Sequence, residues 1–105
     1  MGHTLSHETL DAYQLALGVA RWVRTTEFPR GEAALKDQAK RAADSVVLNL
    51  AEGCHALGGN RNRHFRIARG SAAEVSAVLD LLALPGGADR QAELRRVVAM
   101  TSRLK

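Results

Sequence analysis

The chain has 105 residues, which allows one domain with a single core that buries roughly 65% of the surface its unfolded form exposes. Fifteen Lys and Arg against eleven Asp and Glu leave a net charge of +4, which permits an anionic partner without requiring one. A single cysteine excludes an intrachain disulfide and a cysteine-built zinc site; no apolar run nears the roughly 20 residues of a membrane span, and Met1-Gly2-His3-Thr4-Leu5-Ser6 lacks the basic start and apolar core of a signal peptide, so a cytoplasmic protein is expected.

Aromatic residues are few (Tyr13, Trp22, Phe28 and Phe65), while Ala, Leu, Val and Arg dominate and alternating β-branched runs are missing. That composition favours closely packed helices. The first helix is predicted from about Glu8 to Thr26, with Ser6 as its N-cap. Ala12, Ala16, Val19 and Val23 form its stripe, and Leu15, Trp22, Tyr13, Leu17 and Ala20 widen it beyond what one neighbouring helix needs. Phe28-Pro29-Arg30-Gly31 ends it, because proline disfavours helical geometry at the residue before it. The second helix, about Glu32 to Ala56, carries Leu35, Ala39, Ala42, Val46 and Leu50 on one face. Gly58-Gly59 is expected to break it and Asn60 to cap the next.

The third helix is predicted over about Arg61 to Ala83, burying Phe65, Ala68, Ala72, Val75, Leu79 and Leu82. Its other side has Gly70, Ala73 and Ala77 at small-residue spacing; a glycine there costs about 1 kcal/mol relative to Ala, so a close backbone approach is expected. Leu84-Pro85-Gly86-Gly87 is a turn, and a short fourth helix runs from about Asp89 to Ser102 with Leu94, Val97, Val98 and Thr101 on one face. Short connections make successive helices antiparallel, so the fold class is all-α, an up-down-up-down four-helix bundle filling residues 1–105 as one domain.

Beside the stripe of the second helix, Gln38, Arg41, Ser45, Asn49 and Glu52 follow steps of three or four and form a row of their own. Ser71 and Glu74, with Arg69, stand at the matching edge of the third helix. Polar groups at the edge of a core need partners, so these are expected to make a polar seam cross-linking the two helices, with Arg41 and Glu74 as an ionic pair.

Catalytic constellations are missing. Glu52 and Glu74 are isolated and flanked by arginines, unlike the clustered acidic ligands that hold Mg²⁺ in all-α pyrophosphohydrolases. Cys54 and His55 are adjacent, so on a helix they point about 100° apart and form no nucleophile–base pair. His3 and His7 have the i,i+4 spacing of a metal pair but sit at a terminus prone to fray, and Gly58-Gly59-Asn60 lacks the Gly-Lys-Ser/Thr ending of a phosphate loop. No catalytic residue, cofactor or metal is expected.

Charge is the more informative signal. Between Leu57 and Gly70 stand Arg61, Arg63, Arg66 and Arg69, with His64 and no acid; Arg95 and Arg96 add basic character later. Arginines at a helix start suit phosphate, through bidentate hydrogen bonds and the helix dipole. Phe65 alone interleaves with them, so contact to backbone phosphates rather than base stacking is expected.

From Leu10 to Leu82 the order of residues resembles a bacterial family of four-helix-bundle proteins found in intervening sequences of large-subunit ribosomal RNA genes. The carriers are Phe28-Pro29 with Glu32, Leu35 and Gln38; Arg41-Ala42, Ser45, Asn49 and Ala51-Glu52-Gly53; and Phe65, Ile67-Ala68-Arg69-Gly70-Ser71 and Glu74. The resemblance implies a bundle that closes into a homo-oligomeric ring of five. It extends to the accessory protein of diversity-generating retroelements, which implies RNA and a larger protein such as a reverse transcriptase as partners. Val47 stands where that family often has proline, so the kink found there is not expected, and the fourth helix is short. Two functions follow: a non-enzymatic ring that binds RNA or another nucleic acid, or serves as an adaptor, through its basic surface; and a purely structural or protein-interaction oligomer.

Overall fold

The computed structural model describes residues 7–103, and four helices account for most of them: α1 (His7–Thr25), α2 (Ala33–His55), α3 (Gly58–Leu81) and α4 (Gly87–Arg103). The N-cap expected at Ser6 lies outside the described residues. Contacts run α1 to α2, α2 to α3, α3 to α4 and α4 back to α1, with none across either diagonal, and the α2–α3 pair is the most extensive. This is an antiparallel four-helix bundle, 50 × 20 × 19 Å in extent.

Small side chains set how closely the helices approach. Ala12, Ala16 and Val19 of α1 and Ala39, Ala42, Ala43 and Val46 of α2 are all buried in one core. Bulk comes from Phe65 of α3, 1% exposed, and from Leu50, Leu94, Val75 and Val97. Burying a side chain of the Phe or Leu size is worth about 1.5–3 kcal/mol, so Phe65 anchors the end of the bundle where α2 hands over to α3. At the other end Gly86, with φ +83, lies under the Trp22 indole and lets the chain turn into α4. The α1–α2 turn uses Gly31, with φ +87, after Pro29, whose carbonyl accepts the Glu32 amide at 3.1 Å.

Three local expectations need correction. The break between α2 and α3 falls at Ala56 and Leu57, both extended, rather than at Gly58-Gly59. Gly58, with φ +58, turns the chain back at once, so α3 starts three residues early and Asn60 is in its first turn instead of capping it. Gly70 faces open space: a Cβ there would meet nothing within 4 Å, so no neighbouring backbone of the same chain explains it. α2 is one continuous helix through Val47.

Candidate nucleic-acid interface and polar seam

The α2–α3 seam is built from short side chains. Ser71 Oγ donates to Ser45 Oγ at 2.8 Å. Asn49 Nδ2 donates to the Ser45 carbonyl at 2.9 Å and reaches Ser45 Oγ at 3.2 Å. With its amide nitrogen so engaged, Asn49 turns Oδ1 toward α3, where His64 Nδ1 donates to it at 2.9 Å. An amide oxygen only accepts, so that bond places the proton on Nδ1. His64 is a member of the seam that the sequence reading placed only among the cations.

The long side chains of the expected seam sit elsewhere. Arg41 and Glu52 are exposed and have no partner among the described residues, and the expected Arg41–Glu74 pair is not formed. Glu74 takes only a long bond from Gln38 Nε2, at 3.4 Å and exposed. Helical geometry supplies the reason: at 100° per residue Asn49 lies roughly 80° round from Arg41, toward α3, whereas Glu52 lies only about 20° round and stays outward. Arg69 does bridge helices, but to α4, its Nη1 donating to the Thr101 carbonyl at 3.1 Å.

The arginines of α3 divide in two. Arg61 is half-buried, with its guanidinium 5.3 Å from the Phe65 ring centroid and its Nε buried without a partner. Arg61 and Arg69 are therefore tied to the bundle. Arg63 and Arg66 are exposed and unpaired, as are Arg95 and Arg96 of α4. The start of α3 has no acidic residue in its first turn, and its N-cap, Leu57, makes no side-chain hydrogen bond. The amides at the positive end of the α3 dipole are thus without a side-chain cap and are followed by arginines.

Elsewhere three arginines are paired with carboxylates. Arg24 forms a two-pronged pair with Asp44, its Nη2 donating at 2.6 Å, and this hydrogen bonding holds the Asp44 carboxyl below the usual carboxylate range. Arg103 Nε donates to Glu8 at 2.8 Å, and Arg90 pairs with Glu93 at 2.7 Å.

Cys54 is buried, and burial pushes its thiol up from the ordinary value, opposed by the nearby Arg61 charge. It stays a neutral thiol near pH 7, a poor nucleophile. Among the described residues no three His, Cys, Asp or Glu side chains gather as metal ligands. His3 lies outside the described residues and His7 is described only in its backbone. No helix among the described residues is long and apolar enough to cross a membrane.

The class the structure defines is that of small all-α four-helix bundles, here with a hydrogen-bonded α2–α3 seam. The chain belongs to the 23S rRNA-intervening sequence protein family, whose model matches residues 8–99. No curated protein and no solved structure shows significant similarity to it.

Proposed function

We propose that this protein is a non-catalytic oligomeric module that binds RNA through backbone phosphates, either alone or as an adaptor for a larger RNA-handling protein such as a reverse transcriptase. The carrying observation is the first two-thirds of α3, residues 58–73, which holds four arginines and no acid and leaves Arg63 and Arg66 free on its outer side. Arg95 and Arg96 extend the positive surface onto α4, while Arg61 and Arg69 hold its base in place. Membership of a family tied to ribosomal RNA genes supports RNA over other polyanions. Oligomerisation, as a ring of five, repeats the patch around one particle, so weak contacts combine through effective concentration.

Titration of labelled single-stranded RNA between about 50 and 200 mM salt tests this, because affinity carried by phosphates falls with salt in that range. Each phosphate neutralised on a single strand contributes about −0.7 to the slope of log affinity against log salt, so R63Q/R66Q flattens it by roughly 1.4 per patch. Binding should weaken alike for all sequences, with the melting temperature unchanged. Absence of RNA binding by the wild type at 50 mM salt sinks the proposal and leaves the basic cluster as a solvated surface.

A further inference from the structure

Two apolar faces stay open on opposite sides of the bundle, because the helices contact in the cyclic order α1, α2, α3, α4. On the α1/α2 side, Leu17, Ala20, Val47 and Leu48 line a hollow of about 410 Å³ together with the charged Arg21, Arg24 and Asp44, and Leu48 also borders a second hollow beside Ala51. Leu48 stands on the ridge between them, 62% exposed. One helical turn to either side of it are Asp44 and Glu52. Asp44 is taken by Arg24, whereas Glu52 is free. On the α3/α4 side, a hollow of about 440 Å³ is lined by Ala72, Ala73, Ser76, Val98 and Ala99, with Arg95 as the sole charged lining residue.

We infer that these two faces dock on each other in successive copies of this chain: Leu48 of one copy enters the α3/α4 groove of the next, where Arg95 meets Glu52. Shape and charge both favour a second copy as the occupant. Alanines line one face where a leucine protrudes from the other, and Glu52, one turn from that leucine, is opposite in sign to Arg95 in the groove, neither having an ionic partner of its own; Arg21, the other unpaired charge of the α1/α2 face, lies across the hollow on α1. Both hollows are open, so neither encloses a small molecule as ligand pockets do. Gly70, beside the groove on the outer side of α3, leaves room there that nothing within the chain fills. Since the two faces differ, the contact is heterologous, and each added copy presents a new knob and a new groove until the arrangement closes. The inference rests on the oligomeric part of the function proposed above and assigns its surfaces.

The test uses the full chain in sedimentation velocity and light scattering at micromolar concentration, with circular dichroism as the check on folding. Wild type should be a closed oligomer and Leu48→Glu a monomer with wild-type helicity. E52R and R95E should each weaken assembly about tenfold or more, as truncation or reversal of a close interfacial charge does, and E52R/R95E should recover it. These two positions are exposed, so the charge swap stays informative if Leu48→Glu fails to fold. Wild-type assembly by folded Leu48→Glu, or a double swap no better than its singles, overturns the assignment. RNA titration of the same samples separates the two claims: loss of RNA binding with assembly intact counts against the basic surface alone, and a monomeric wild type sinks the oligomer together with this interface.

Discussion

At Gly53 the α2 backbone lies so close to Phe65 that an added Cβ would stand 2.5 Å from Cε1 and 2.7 Å from Cδ1 of the ring. Both residues are buried, so the ring has no solvent to swing into. Two effects of Gly53→Ala oppose each other. Helix propensity favours alanine by about 1 kcal/mol, while overpacking a filled core costs about 1–3 kcal/mol. The clash involves a flat aromatic edge at well under contact distance, so the cost should win and the melting temperature should fall. Gly18→Ala is the matched control, since a Cβ there meets nothing within 4 Å and only the propensity gain remains. Thermal melts of the two should move in opposite directions; a Gly53→Ala protein as stable as Gly18→Ala would show that α2 is free to back away from Phe65. In the sequence Gly53 stands out only as part of Ala51-Glu52-Gly53, because a helical glycine does not reveal which ring it lies against. The seam was legible in the same partial way. Spacing alone placed Ser45, Asn49 and Ser71 at facing edges, but it did not distinguish them from Arg41 and Glu52, whose long stems reach solvent instead. His64 was missed as a partner because the Asn49–His64 match depends on the stagger of α2 against α3, and periodicity within each helix does not contain that stagger.

The helices themselves were written in their apolar periodicity, and each lies within about three residues of its predicted bounds. The largest discrepancy, at the start of α3, comes from reading Gly58-Gly59 as a break when Gly58 uses its positive φ to begin the helix. That helix is unfavourably arranged at the local level: it opens with two glycines, has Leu57 at its N-cap, 65% exposed, and gathers its arginines at the positive end of its own dipole. Natural sequences break such rules mainly where function demands it, and an anionic partner at this end would relieve the arrangement. The cap offers a clean measurement. Leu57 already has the extended backbone an N-cap needs, φ −125 and ψ 152, and lacks only a side-chain acceptor. Leu57→Ser should therefore stabilise the fold by about 1 kcal/mol, the usual worth of a capping hydroxyl, read as a rise in denaturant midpoint at constant slope. An unchanged midpoint would mean that the first amides of α3 are already satisfied by another group.

For the molecule as a whole, packing four helices in a square leaves a choice of what to do with a fifth surface. The broad apolar arc of α1 was visible in the sequence, and the bundle covers only part of it: Leu10 remains 43% exposed, lining a hollow with Ala51 and Cys54 of α2. Which residues stay uncovered was not legible, because that depends on how far each helix is rotated toward its neighbours. If the uncovered faces are an interface, folding and assembly are linked, since whatever binds only the native state adds to its stability by mass action. The linkage predicts a melting temperature that climbs with protein concentration. In a closed ring each tenfold increase is worth roughly 1 kcal/mol per chain, and for a chain of about 100 residues that corresponds to about 4–8 °C. Calorimetric scans over two decades of concentration should show this climb for the wild type and lose it for Leu48→Glu. A wild-type melting temperature independent of concentration would mean that the bundle is stable alone, with its leucines simply exposed.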